Sequence, residues 1–195
     1  MRIKIDGKEK RSFSYAQLLS LPRQERYQTL RCISNTLKTD LMGTAYWSGV
    51  GLGQLVAAAE VPPEAVEVAV VGVDGHGCSY QVPYAFGDEF LLALGMNGRT
   101  LSRNHGYPLR LLAPRYYGFK NIKWIGEIDF VTKPYFGTWP KRGFAKEAVV
   151  HTASYIDRVR REGNQVLAGG VSFAGARGIQ RVQVRLGQHE WGEAR

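Results

Sequence analysis

The stretch TLRCISN, Thr29 to Asn35, places one of only two cysteines directly after an arginine and just before a small polar turn. A thiol at the end of a compact strand stands where reactive groups are commonly presented, although free cysteine serves equally well as a small buried hydrophobe. Far downstream, LSRNHGYPLRLLAPRYYGFKNIKWIGEIDFV sets His105, Arg110, Lys120 and Lys123 at strand entries or in loops. A pocket edged by such cations suits a phosphate, because arginine offers a fork of donors and lysine a mobile point charge. Taken singly, each is also compatible with an ordinary solvated face. Cys78 has no comparable setting and reads as a plain free thiol.

The elements that must position these groups follow from the pattern. RIKIDG alternates like a strand ending in an Asp-Gly turn, and SYAQLLSLP reads as a short helix with Ser14 as its N-cap and Pro22 just past its end. WSGVGLGQLVAAAEVPP feeds a helix expected over Leu52 to Glu60, stopped by Pro62 and Pro63. VEVAVVGVDGHG is a β-branched strand closed by Asp74 and Gly75, SYQVPYAFGD a further short strand, and EFLLALGMNG an apolar segment ending in an Asn-Gly turn. Two apolar strands, Leu109 to Ala113 and Ile122 to Val131, flank the cationic loop. KPYFGTWPKRGFAKEAVVHTASYIDRV reads as an aromatic loop, and VLAGGVSFAGARGIQRVQVRLG as a glycine-rich pair of strands.

Strands and short helices alternate without regular βαβ spacing, so the expected class is α+β, a mixed α/β domain rather than a doubly wound sheet. The composition shift near Gly163 to Gln165 divides residues 1–163 from a short β segment, 164–195, too small to stand alone.

The chain has 195 residues, 44% of them hydrophobic, as in an ordinary globular domain. Its 26 basic against 17 acidic residues give a formal net charge of +9, which points to an anionic partner of some kind. Zinc-finger spacing and RNP-type aromatic motifs are missing, so a nucleic-acid partner is not expected, and the GVGLG stretch lacks the dinucleotide fingerprint. There is no GxSxG elbow, HExxH helix or Walker loop either. No apolar run approaches the roughly 18 to 20 residues of a membrane helix, and MRIKIDGKEK lacks the apolar core of a secretory signal. A soluble chain of open location is expected.

TLRCISN, GTAYWSGVGL and MNGRTLSRNHGYPLRLLAPRYYGFKNIKWIGEIDF, in this order and at these separations, resemble the molybdopterin-binding domain of the sulfite oxidase family. The likeness runs from about Ile3 to Phe144, and GVSFAGARGIQRVQVRLG is similar to the opening strands of that family's immunoglobulin-like dimerisation domain.

The resemblance implies a molybdenum-molybdopterin cofactor, with Cys32 as the thiolate on the metal. Soft sulfur suits a metal already held by dithiolene sulfurs. It further implies that His105 and Arg110 contact the pterin and its phosphate, that the loop of Lys120, Asn121 and Lys123 grips the same cofactor, and that Tyr135 faces the substrate. The activity implied is two-electron oxygen-atom transfer on a small substrate. Electrons would pass to or from a separate electron-transfer protein such as a cytochrome, because no heme-binding segment is present. A dimer is compatible with the tail, and relatives are often extracytoplasmic. One departure concerns the substrate: Asn35 is followed by Thr36, Leu37 and Lys38, where sulfite oxidases carry an arginine. A reading from another class remains, a non-catalytic basic module that binds an acidic protein or nucleic acid.

Overall fold

The protein is described by a computed structural model that covers residues 1–36, 41–56, 61–87 and 89–194. Its architecture is α+β, dominated by two five-stranded sheets. The first begins with β1 (Arg2–Ile5) and β2 (Lys8–Ser12), joined by Asp6 and Gly7 at φ 45° and 79°. Both positions need the left-handed region, which Asp and Gly tolerate best. Asp6 is held there because its carboxylate accepts from the Thr132 backbone and hydroxyl at 2.9 and 3.0 Å. β1 pairs in parallel with β10 (Ile125–Val131), which runs antiparallel to β5 (Glu67–Gly72), and β6 (Gly77–Gln81) completes the order β2-β1-β10-β5-β6. Helix α1 (Tyr15–Leu19) starts where the sequence places it, since Ser14 and Gln17 close a reciprocal capping box.

The second sheet carries the cysteine turn. β3 (Gln24–Arg31) pairs with β4 (Met42–Gly51) along its whole length, from Gln24 opposite Gly49 to Arg31 opposite Met42. β7 (Leu91–Met96) follows, with β8 (Arg99–Thr100) and β9 (Arg110–Leu112) both on β7. LLAL in β7 is apolar at consecutive positions because both faces of this strand are covered. Leu92 and Leu94 join the main core with Val68, Val70, Ile128 and Phe130 of the first sheet. Leu91 and Ala93 point the other way, into a smaller cluster with Trp47, Leu101 and Leu112. Emptying a fully buried position such as Phe130 costs roughly 3–5 kcal/mol by the general behaviour of such cores.

Three expectations need correction. VPYAF, expected within a strand, is helix α2 (Val82–Phe86), with proline in its first turn, where the missing N–H leaves no bond unmade. The helix expected over Leu52 to Glu60 is, in its described part, a short 3-10 turn at Leu52–Gln54, and residues 57–60 lie outside the described residues. The stretch read as an aromatic loop ends in a long strand, β11 (Ala153–Glu162), which pairs with β12 (Gln165–Phe173). Gly163, at φ 58°, sits in the turn between these two strands, so the expected boundary falls inside a hairpin. β13 (Gln183–Val184) and β14 (Gly192–Glu193) form a small pair in the tail. Among the described residues no helix is long and apolar enough to cross a membrane.

Candidate cofactor site

Cys32 is the first residue after β3, half-buried and not in a disulfide. Its N–H donates to Leu41 O at 2.9 Å, its carbonyl accepts from Asn35 N at 3.2 Å, and Asn35 Oδ1 accepts from Leu41 N at 2.9 Å. The buried Asn35 therefore ties both sides of the turn together, and the thiol is carried on a fixed backbone. A second loop lies against it. A Cβ at Gly118 would stand 3.3 Å from Arg31 O, a tight contact, and 3.8 Å from Cys32 Cα, an ordinary one.

From Gly118 the chain makes a 3-10 turn to Lys120 and continues through Asn121 to Lys123. Asn121 is 3% exposed and bonded at both ends of its amide: Oδ1 accepts from Ala113 N at 2.8 Å and Nδ2 donates to Tyr117 O at 3.3 Å. Lys120, 2% exposed, turns into the core, donates from Nζ to Lys146 O and Glu147 O at 3.1 and 3.3 Å, and lies over the rings of Tyr80 and Tyr116. Desolvation lowers its ammonium pKa to about 8. Lys123 goes the other way, over the Trp124 ring at 4.2 Å, with Nζ donating to Asn104 O at 3.2 Å.

Arg110, the first residue of β9, is the strongest electrostatic feature. Its guanidinium lies over the Trp47 ring at 5.2 Å and donates to His105 O at 3.2 Å, while Nε is buried with no partner. No carboxylate pairs with it among the described residues, and burial lowers its pKa to about 10. A half-buried cation with no paired carboxylate is favoured when an anion completes it. Gly106, at φ 108°, makes this cluster possible, since a Cβ there would meet the Cβ atoms of Lys123 and Arg110 at 3.1 and 3.2 Å. His105 stays exposed, its Nδ1 fixed by Ser102 Oγ at 2.7 Å.

These parts frame a cleft of about 340 Å³ lined by Arg110 and Lys123, by Gly118, Phe119 and Asn121 of the loop, and by His76, Trp124 and Trp139, with Asp74 the one carboxylate among the lining residues. Of the residues singled out from the sequence, Arg110, Asn121 and Lys123 line it. Cys32 abuts its Gly118 wall, and His105 is linked to it through Arg110. The Lys120 ammonium and Tyr135 are not brought to it. Tyr135 places its hydroxyl over Gly77, where a Cβ would collide with it, its N–H donates to Glu67 Oε2 at 2.8 Å, and burial raises its phenol pKa. Lys38 lies outside the described residues.

His76 escaped the sequence reading. It donates from Nε2 to Phe119 O at 2.8 Å and so holds the loop, while Asp74 Oδ1 orders its turn by accepting from His76 N at 3.1 Å. VDGHG carried only the signal of a turn at a strand end.

An α+β domain in which a thiol turn abuts a cleft where two cations outnumber one carboxylate is suited to an anionic ligand. More narrowly, the chain belongs to the sulfite oxidase family of molybdopterin-binding oxidoreductases: the family described as oxidoreductase molybdopterin binding domain matches residues 1–139. It is 28% identical over 162 residues to the mitochondrial sulfite oxidase of Homo sapiens, covering 71% of this chain and 30% of that protein. It is also 28% identical over 131 residues to the uncharacterized oxidoreductase YuiH of Bacillus subtilis (strain 168), covering 67% and 64%. The crystal structure of the sulfane dehydrogenase SoxCD from Paracoccus pantotrophus superposes with a TM-score of 0.82 at 26% identity, over 100% of this chain and 58% of that one. The chain thus spans about a third of the length of the human enzyme it matches.

Proposed function

We propose that this domain holds a molybdenum-molybdopterin cofactor and performs two-electron oxygen-atom transfer on a small substrate. The observation that carries the reading is Arg110, a half-buried guanidinium with a buried, orphaned Nε and no carboxylate paired to it, on the same cleft whose Gly118 wall abuts the Cys32 turn. The residues fit the group: a soft thiol stands at one end and the cations Arg110 and Lys123 at the other, with glycines at the two close approaches. When bound, the cofactor supplies the two-electron redox capacity, and the protein supplies orientation, charge and access. Cys32 would ligate the metal, Arg110 and Lys123 would hold the anionic end, and His105 would steady Arg110 through its carbonyl. Asn121 and Lys120 hold the loop from behind, while Tyr135, expected from the sequence to face the substrate, lies off this cleft beside Gly77.

The aromatic wall of Trp139 and Phe119, with centroids 6.5 Å apart, supports a neutral or weakly charged oxo-donor or oxo-acceptor, and sulfoxides are the first class to assay. A separate electron-transfer protein such as a cytochrome would exchange the electrons. The segment from Ala153 onward would open a second module that includes β11, which moves the boundary from Gly163 toward the start of the hairpin and leaves dimerisation to that segment.

The test is elemental molybdenum analysis with pterin fluorescence on protein purified from a host that makes the cofactor. Turnover of sulfite is then compared with that of methionine sulfoxide and dimethyl sulfoxide using artificial electron carriers. Near-stoichiometric metal with better sulfoxide turnover is expected. Absence of metal and pterin, with salt-dependent DNA binding, would favour the basic binding module instead.

A further inference from the structure

Arg31 immediately precedes Cys32 and is 8% exposed, yet no carboxylate pairs with it among the described residues. Its guanidinium lies between two rings, 5.5 Å from the Tyr117 centroid and 5.4 Å from that of Tyr155. One arm donates to His151 O at 3.3 Å and the other to the Tyr155 hydroxyl, while Nε has no partner. The same hydroxyl donates onward to Asn35 O at 3.5 Å. Tyr155 is on β11, beyond the residues the family match covers.

A buried cation satisfied by two rings and two neutral oxygens is a geometric commitment, because its position is favourable only while β11 is in place. That position also matters for the thiol. Arg31 and Cys32 share a peptide unit, and Asn35 closes the turn three residues on, so Tyr155 grips the Cys32 turn at both its entry and its exit. Gly118 presses on the same peptide from the cleft side.

We propose that Arg31 and Tyr155 are positioning residues for Cys32, so that the C-terminal hairpin latches the thiol turn in the orientation the cleft needs. The inference rests on Cys32 being the metal-ligating thiolate. Its consequence is that residues 1–139 alone present the cysteine without its support.

The experiment measures the rate at which iodoacetamide alkylates Cys32, by mass spectrometry, in cofactor-free and cofactor-loaded protein, with buried Cys78 as the internal reference. In cofactor-free protein, Tyr155→Phe keeps the ring and removes the hydroxyl. Cys32 is then expected to alkylate about tenfold faster, the equivalent of roughly 1.4 kcal/mol, with Cys78 still protected and the unfolding midpoint close to the parent's. Arg31→Lys keeps the charge but cannot reach both acceptors, and gives the same result independently of any folding defect in the first variant. Cofactor retained after dialysis should fall in both. Parental alkylation rates and parental retention in both variants would overturn the latch. Equal alkylation of Cys32 in loaded and cofactor-free parent would instead reject its ligand role, while the cofactor-free comparison would still decide the latch.

Discussion

Lys120 and Lys123 are three residues apart on one loop and end in opposite surroundings. Lys120 is sealed against Tyr80 and Tyr116 and donates to two carbonyls of the 146–147 segment, whereas Lys123 lines the cleft over Trp124. The two cysteines divide the same way. Cys78 is 2% exposed with its thiol pKa pushed up to about 12 by burial, and its Sγ leans on Phe119 O at 3.7 Å, while Cys32 sits half-buried at a strand end. One side of the loop thus fixes its shape and the other presents it. A charge or thiol sealed among internal partners is structural, and one that borders a cleft is available to a ligand.

The strongest way to break this contrast is to exchange the sulfurs. Cys32→Ser is expected to abolish turnover with the fold intact, because a hydroxyl replaces a soft ligand poorly. Cys78→Ser should keep turnover and lose about 1 kcal/mol of stability, read by denaturant unfolding. Next in size are the cleft cations. Arg110→Ala removes a charge-assisted contact of roughly 1.5–3 kcal/mol and should weaken cofactor retention about 10- to 100-fold, with Lys123→Ala smaller and the double variant nearly empty. Pterin content per mole of purified protein measures both, and full content in the double variant would make these ordinary surface charges.

A test on stability rather than on cofactor or turnover sharpens the core side. In the unfolded chain Lys120 keeps its ordinary 10.5, and in the folded one burial lowers it to about 8. Between those values the unfolded state holds more protons. The penalty of the buried ammonium is therefore fully present below pH 8, and stability rises as pH climbs from about 8 toward 10. Lys120→Met should flatten that rise, measured as unfolding free energy at several pH values.

Much of the frame was legible because its signals are local. The Asp6-Gly7 turn, the Ser14 cap and the position of Cys32 just past a strand depend on a few neighbouring residues. β11 was not legible, since a strand exposed along most of both faces has no alternation to read and only its pairing with β12 defines it. VPYAF misled because a proline after a β-branched residue reads as extended chain, whereas here it opens a helix. The site was half legible. Cys32, Arg110 and Lys123 stood out by type and spacing, but the inward turn of Lys120 depends on Tyr80 from β6 as well as on nearby Tyr116, and His76 acts through the carbonyl of Phe119, 43 residues away.

The central claim is that the Cys32 turn and the cationic cleft serve one bound group. X-ray absorption at the molybdenum edge tests it most directly, comparing the loaded parent with metal-loaded Cys32→Ser. Loss of one sulfur neighbour from the metal in the variant, with the remaining sulfur shell unchanged, is the predicted result. An identical sulfur shell in both proteins would contradict it.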